Sequence, residues 1–449
     1  MKNLASIAAL SLSSVLWSLQ VNAGTNAVSA EHLAAPTLPE LIHSALTNDP
    51  TRTQYYSQSA AMRETGVAAS TLMDPKIKLD FGGLPVDSFK FDEDPMTNIS
   101  VGLMQQFERG STLELQQKKA NKQADGIESQ VHTRELDVIN NITQLWVELG
   151  YQQSAARILK QNKTLMKEME SFIQTNYSIG KSEAQDLLNA QLQIAKLDEK
   201  LQANSQMQRR LISQLSEWLG SEWIRSAHKI KASNSLSWSQ LDQIVQPDTT
   251  SHYQRLSLHP MIKMADISIA ANQTQVEITE QAYTPQFGVE VMYAHRQANN
   301  MMGEPASDLV SAYLTMDIPL FTGNRQDKNL AAAQYQVGAA QSQKDALLAQ
   351  MNAKVNALLV DRDNLQQRLT RYEKTLLPQA NARIKAVERG YQNNTAQFND
   401  VIAATTDELA LKLEQERLTT DLNITNSNLA ALLGGFEYQV DKPQLSIKN

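Results

Sequence analysis

The sequence contains no cysteine among its 449 residues. This absence excludes disulfide bonds, thiol nucleophiles, thiolate metal sites and lipid attachment through an N-terminal cysteine. Glycine and proline are scarce, with 17 and 13 residues, and aromatic residues make up only 6% of the chain. Such a composition is typical of long helices, so we expect helix to dominate.

Long apolar runs are also missing beyond the N-terminus. The mean hydropathy is −0.39, and no later stretch approaches the roughly 20 apolar residues that a membrane-spanning helix needs. We therefore expect any membrane span to consist of β-strands. At the N-terminus, Lys2, the apolar run at residues 4–19 and the small residues at 21–23 predict a secretion signal that is cleaved after Ala23.

Charge and motif content exclude two further classes of function. Lys and Arg number 41 against 48 Asp and Glu, a net charge of −7 without any basic block, so nucleic acid is not an expected partner. No G-x-S-x-G, H-E-x-x-H, P-loop or G-x-G-x-x-G pattern occurs. We therefore predict no enzyme activity, no cofactor and no bound metal. Thioether and imidazole side chains can bind soft metal ions, and the residues considered for this are Met96, His295, Met301 and Met302. Because their spacing does not match a metal-binding motif, we interpret them as residues of exposed loops.

The most informative feature is an internal repeat. Pairs that match at the offset 391 − 177 = 214 are Tyr177 and Tyr391, Asp186 and Asp400, and Leu219-Gly220 and Leu433-Gly434. Pro75 meets Pro285 at the nearby offset of 210. Because the register holds over more than forty positions without a gap, we interpret the chain as two copies of one structural unit.

Each half contains two segments in which apolar and polar residues alternate. The apolar positions are Ile77, Leu79 and Phe81, then Ile99, Val101 and Leu103, and in the second half Phe287, Val289, Val291 and Tyr293, then Val310, Ala312, Leu314 and Met316. A period of two predicts β-strands with one apolar and one polar face. Such strands fit a transmembrane barrel, whereas half-buried strands of a soluble sandwich are the alternative.

Long helical stretches are predicted at residues 112–177 and 325–391, interrupted only by Pro378. Some 65 helical residues span roughly 100 Å, which is longer than any compact domain. Turn-forming residues follow at 179–182 and 392–395, and returning helices run to the two Leu-Gly pairs. Each half is therefore expected to project one helical hairpin.

These patterns divide the chain into five parts. We predict a signal peptide at residues 1–23, a first structural repeat at 24–220, an equatorial insert at 221–257, a second structural repeat at 258–434 and a C-terminal equatorial tail at 435–449. Four strands cannot close a barrel, because the smallest closed barrels have eight. Sister copies must therefore supply the remaining strands, and either a dimer or a trimer satisfies this requirement.

Four short motifs carry a family resemblance: Leu38-Pro39-Glu40-Leu41, Ala282-Tyr283-Thr284-Pro285, Ile318-Pro319-Leu320-Phe321 and Leu377-Pro378-Gln379-Ala380. With them the chain resembles the TolC family of outer-membrane efflux proteins over nearly its whole mature length. The resemblance implies a mainly helical trimer, in which four strands per protomer form a twelve-stranded β-barrel above a periplasmic tunnel of helical hairpins. It further implies a passive, gated duct in outer-membrane lipid, working with a periplasmic adaptor and an inner-membrane pump of the RND type.

A narrower resemblance concerns the branch that serves copper/silver and cobalt/zinc/cadmium efflux. Its marks are Asp74-Pro75, the segment 84–89, Pro95-Met96-Thr97 and Gln106-Phe107. This resemblance implies heavy-metal cations as candidate substrates, with drugs as the alternative. A different class of function is also open, namely a periplasmic coiled-coil adaptor or scaffold without channel activity.

The first candidate site is a gate. Asp186 and Asp400 follow the two predicted turns at equivalent positions of the repeat. In a trimer they would form a ring of carboxylates whose focused negative potential attracts cations. The resemblance places Tyr391 in the same closing network. The alternative is an ordinary aspartate in the first turn of a helix, where the helix dipole favours it.

The second candidate site is a docking surface for the adaptor at the hairpin tips. The resemblance assigns Gly180, Ala184, Asn394 and Phe398 to this surface. Plain turn and core chemistry is the alternative interpretation for each of these residues.

Overall fold

The computed structural model describes residues 36–226, 230–245, 251–393 and 395–445. The predicted signal peptide lies outside the described residues, and its cleavage stays a prediction. Within the described ranges the chain is mainly helical and carries one four-stranded antiparallel sheet. None of the helices in these ranges combines the length and the apolar character needed to cross a membrane.

The two halves share one plan, in which helix precedes two strands and a long helical hairpin follows them. The first half has α1 (Leu38–Asn48), α2 (Pro50–Ala69), β1 (Lys76–Gly82), β2 (Asn98–Gln106), α3 (Thr112–Ser178) and α4 (Ala184–Leu219). The insert has the short helices α5 (Ser221–Ser226), α6 (Ser239–Ile244) and α7 (Ser251–Ser257). The second half has α8 (Pro260–Glu280), a 3₁₀ turn (Gln281–Tyr283), β3 (Gln286–His295), β4 (Leu309–Asp317), α9 (Gln326–Arg371), a π-helical turn (Tyr372–Leu376), α10 (Leu377–Gln392) and α11 (Phe398–Leu433).

The first half opens with two helices, α1 and α2, that follow each other directly. Asp49 separates α1 from α2, because its extended backbone ends the first helix and its side chain accepts the Thr51 N–H at 3.0 Å to cap the second. Pro50 follows at the first helical position, where no N–H donor is needed.

The second long helix differs from the prediction, since the π-helical turn separates α9 from α10. Pro378 has no N–H, and its ring crowds the carbonyl one turn earlier, so a regular α-helix cannot pass through this position. The first half has Thr164 at the equivalent place, 378 − 214 = 164, and α3 continues through it without a break.

The sheet has the strand order β1-β2-β3-β4 and therefore joins the two halves through β2 and β3. Leu79 lies opposite Val101, Val101 opposite Tyr293, and Tyr293 opposite Val310, so the apolar residues of all four strands share one face. The other face is polar and includes an ion pair between Lys78 and Glu290 at 3.2 Å. The predicted alternation is thus confirmed. In the described chain β1 and β4 are edge strands.

The helices lie side by side rather than around one large core. Next to the sheet the packing order is α2, α3, α8 and α9, and towards the hairpin turns it is α4, α3, α11 and α10. The most extensive apolar cluster lies where α1, α3, α4 and the insert meet. Its fully buried members include Leu46, Ile139, Ile142 and Leu215.

The insert runs across α3 and α11 and is held there by hydrogen bonds from its backbone to side-chain amides of both helices. Gln153 of α3 donates to the carbonyl of Ile230 at 2.9 Å and accepts the Ala232 N–H at 3.0 Å. Asn423 of α11 accepts the Leu236 N–H at 3.0 Å. Gly150 allows the backbone of the insert to lie directly on α3, because a Cβ there would overlap the backbone at Ser233 and Asn234. The insert therefore links α3 to α11.

The C-terminal tail is fixed by a buried ion pair. The Arg52 Nε of α2 lies 2.8 Å from the Glu135 Oε1 of α3, and Arg52 is only 2% exposed. The other guanidinium nitrogens donate to the carbonyls of Leu46 at 2.6 Å and Asp441 at 3.2 Å. The Tyr438 hydroxyl donates to Glu135 at 3.3 Å. The buried charge is thus satisfied from the tail as well as from the helices.

Candidate functional site at the hairpin turns

The turn between α3 and α4 depends on Gly180. Its φ of +74° lies in the left-handed region, which residues other than glycine rarely adopt. The Gly180 N–H donates to the Tyr177 carbonyl at 3.0 Å, and the Lys181 N–H donates to the Asn176 carbonyl at 2.8 Å. These bonds satisfy the last carbonyls of α3 and reverse the chain. Gly180 and Ala184 are exposed, as a docking surface requires.

The second turn lies beside the first. The Gly390 carbonyl accepts the N–H groups of Thr395 at 2.8 Å and Ala396 at 3.1 Å, which closes the connection between α10 and α11. The Asn189 side chain of α4 donates to the Asn399 side chain of α11 at 3.0 Å and joins the two hairpins. Asn394 lies outside the described residues.

Tyr391 is the central member of an aromatic group between the turns. Its ring centroid lies 6.4 Å from that of Phe172 and 6.0 Å from that of Phe398. Phe398 is only 2% exposed and belongs to a buried cluster with Ile173 and Ala190. In the isolated chain Phe398 therefore packs the base of the turns, and its role in docking stays a prediction.

A polar cleft of about 470 Å³ opens between the two turns. Asp186 and Tyr391 both line it, so the structure brings two of the predicted gate residues together. Lys181 and Glu183 line the same cleft and were missed by the sequence analysis. The available signal for Glu183 was its position three residues before Asp186, at the start of the returning helix.

Asp186 lies in the first turn of α4 and is partly buried in this cleft. Burial raises the pKa of its carboxyl group above the ordinary value, and the negative charge of Glu183 raises it further. No Lys or Arg among the described residues forms an ion pair with it. The cleft thus contains a carboxyl group that binds protons more readily than a free aspartate does.

Asp400 is placed differently from its repeat partner. Its carboxylate accepts the Gln397 N–H at 3.0 Å, and the Asp400 N–H donates to the Gln397 backbone carbonyl at 3.1 Å in return. This reciprocal pair satisfies the first turn of α11. Asp400 is exposed and does not line the cleft of the isolated chain. The gate assignment of both aspartates stays a prediction.

The residues considered for metal chemistry lie at one end of the sheet. His295 is the last residue of β3 rather than a loop residue, Met301 and Met302 lie in the loop between β3 and β4, and Met96 lies in the loop between β1 and β2. His295 Nδ1 lies 3.0 Å from Asp308 Oδ1, and Met301 and Met302 at the loop tip are fully exposed. Across the part of the chain that the structure describes, no group of three or more His, Asp or Glu residues is arranged to hold a metal ion.

Residues 252–435 match the family described as outer membrane efflux protein. The fold is similar to that of the outer membrane protein VceC from Vibrio cholerae, with a TM-score of 0.71 and 16% identity over 88% of this chain and 96% of VceC. It is also similar to CusC, with a TM-score of 0.72 and 15% identity over 88% of this chain and 91% of CusC.

The CmeC outer membrane channel of Campylobacter jejuni gives a TM-score of 0.66 with 12% identity over 97% of this chain and 96% of CmeC. A comparison with curated protein sequences finds no match. Identities this low establish the fold alone. The second half of the chain therefore carries the sequence pattern of the outer membrane efflux protein family, on a chain whose described residues have the fold of TolC-like outer membrane channels.

Proposed function

We propose that this chain is one protomer of a trimeric efflux duct in the outer membrane. The duct passes substrates passively from the periplasm to the exterior, with the helical tunnel in the periplasm. A periplasmic adaptor and an inner-membrane pump of the RND type complete the system. The observation that carries this proposal is the sheet, whose apolar face is open over all four strands and whose two edges have no partner in the described chain.

In the single chain the apolar face of the sheet is exposed to solvent. Leu79 is 73% exposed and Val310 is 75% exposed, and their neighbours on the same face are exposed as well. A continuous apolar face of this kind marks a surface that contacts lipid or another protein. Unpaired backbone groups at the edges are costly in lipid, so closure requires β4 of one copy to pair with β1 of the next. Three copies of four strands give the twelve-stranded barrel of the proposal.

The hairpin turns supply the proposed gate and docking surface. We place Asp186, Asp400 and Tyr391 at the narrow periplasmic end, where three copies would bring their carboxylates together. The exposed Gly180 and Ala184 would meet the adaptor, the buried Phe398 would support the turns, and Asn394 is proposed for the same docking surface. Carboxylates at a constriction favour cations, which is compatible with heavy-metal ions as substrates and with cationic drugs.

A pair of neighbouring substitutions tests the membrane placement. Leu79 lies on the apolar face of β1 and Asp80 on the polar face, and both are exposed in the single chain. In lipid, Leu79→Lys should cost about 2–4 kcal/mol near the middle of the bilayer, whereas Asp80→Lys faces the water-filled interior. We expect Leu79→Lys alone to reduce the amount of heat-modifiable oligomer recovered in outer-membrane fractions.

The competing function is a periplasmic scaffold without channel activity. In that case both variants would remain in the soluble periplasmic extract in equal amounts, and planar bilayers exposed to the purified protein would show no conductance. Equal recovery of both variants from the membrane fraction would also contradict the proposed orientation of the sheet.

A further inference from the structure

We infer that a crevice between α1, the insert and the C-terminal tail binds a drug-sized organic cation. The crevice has a volume of about 490 Å³, within the range of small-molecule sites. None of its lining residues belongs to the cleft at the hairpin turns. The inference concerns a second site and does not depend on the proposed transport function.

The walls of the crevice are apolar and firmly held. Ile42 and Leu46, one turn apart on α1, form one side, and Trp238 and Phe436, with ring centroids 6.1 Å apart, form the other. The Trp238 indole N–H is occupied by a hydrogen bond to Asn423 at 2.8 Å. Asn423 does not line the crevice, so the indole N–H of Trp238 is hydrogen-bonded outside it. The carbon atoms of the Trp238 ring are therefore available to contact a ligand.

Tyr438 of the C-terminal tail repeats this arrangement. Its hydroxyl donates to Glu135 at 3.3 Å, behind the crevice wall, and its ring lines the crevice. Three aromatic side chains therefore present apolar surface to one volume. Hydrogen bonds to Asn423 and Glu135 hold Trp238 and Tyr438 in place from behind, and Phe436 packs against Trp238, so the site is formed before a ligand arrives.

The charge around the crevice selects for cations. Among the described lining residues Glu437 is the one carboxylate and His43 the one basic side chain, and no Lys or Arg lines the crevice. Glu437 is exposed at the mouth and forms no ion pair with any described residue. Aromatic faces attract a cation through their quadrupole, and a nearby carboxylate adds to that attraction. An anion of the same shape would find neither contribution.

Two ions of matched shape test the inference. Tetraphenylphosphonium and tetraphenylborate are similar in size and opposite in charge, and their binding to the full-length protein is measured by equilibrium dialysis against the same detergent buffer. We expect saturable binding of one phosphonium ion per chain, at least tenfold tighter than the borate. Glu437→Gln should weaken phosphonium binding about fivefold, the size of one partly exposed charge interaction.

Two further variants control this measurement. Glu304→Gln removes an exposed carboxylate in the loop between β3 and β4, far along the chain from the crevice, and should leave phosphonium binding unchanged. Ile42→Trp should fill the crevice and abolish binding of the phosphonium, with folding checked by circular dichroism. Equal uptake of both ions, or phosphonium binding that Glu437→Gln leaves unchanged, would overturn the inference and indicate partition into detergent only.

Discussion

The two repeats have the same backbone plan but different chemistry at equivalent positions. Helices α4 and α11 both contain 36 residues, and they begin 398 − 184 = 214 positions apart. Within the same plan, Asp186 lines the cleft between the turns whereas Asp400 caps its own helix. The length of a hairpin is thus shared between the halves, while the surroundings of a given side chain are not.

The helices that open the halves show the same contrast. Pro50 begins α2 and Pro260 begins α8, an offset of 210, and the same offset pairs Arg52 with Ile262. Both side chains are buried, but Arg52 binds Glu135 and the tail whereas Ile262 packs in an apolar cluster with residues of the insert. The two helices therefore begin alike, while the side chain at the equivalent position packs against a different segment in each half.

The largest expected effect comes from removing the buried guanidinium of Arg52, whose equivalent position in the second half holds the apolar Ile262. Arg52→Met leaves Glu135 buried without its guanidinium partner, which should lower the free energy of unfolding by about 3–5 kcal/mol. Ile262→Val, at the equivalent place, should cost about 0.5–1.5 kcal/mol. Urea-induced unfolding of the detergent-solubilised protein measures both. If Arg52→Met combined with Glu135→Gln were no more stable than Arg52→Met alone, the uncompensated charge would not be the cause.

A pair of glycines in long helices provides the next test. Gly150→Ala places a Cβ against the backbone of the insert, and such overpacking should cost about 1–3 kcal/mol. Gly338→Ala in α9 meets open space and should stabilise the protein by up to about 1 kcal/mol through helix propensity. Thermal unfolding monitored by circular dichroism distinguishes them. Shifts of the same sign would show that the insert does not press on α3.

Asp186 and Asp400 allow the two halves to be compared by channel conductance. We expect Asp186→Ala combined with Asp400→Ala to raise single-channel conductance in planar bilayers and to weaken cation block. Asp186→Asn should account for the larger share, because Asp186 lines the cleft, whereas Asp400→Asn should mainly remove about 0.3–1 kcal/mol of helix stabilisation. Unchanged conductance in the double variant would argue against the gate, and equal single effects would argue against the asymmetry.

The smallest effect concerns pH and again separates the halves. The hydrogen bond with Glu135 raises the pKa of His132 above its ordinary value, and the second half has Ala346 at 132 + 214. A raised pKa in the folded state gives stability that is present below about pH 6.5 and is lost as the pH rises through the folded-state pKa. Wild-type protein should therefore lose stability as the pH rises above about 6.5, and His132→Gln should remove this loss. Parallel profiles would exclude His132 as the titrating group.

Much of the helical and strand structure was predictable from local patterns. The interval predicted at residues 112–177 agrees with α3 at Thr112–Ser178, because apolar periodicity and turn residues act over a few positions. The π-helical turn before Pro378 was not anticipated, although the proline itself is a local signal for a break. At the candidate site the turns were predicted correctly, but Glu183 and the burial of Phe398 were not.

The sequence by itself determined the internal repeat, the alternating strands and the position of each hairpin turn. The strands and turns depend on neighbouring residues, and the repeat is visible as residue matches at a constant offset. Only the tertiary structure decided that Arg52 meets Glu135, 83 positions away, that Gly150 lies under the insert, and that Asp186 rather than Asp400 lines the cleft. These features depend on which distant segments pack together, and equivalent positions of a repeat have identical local signals but different neighbours.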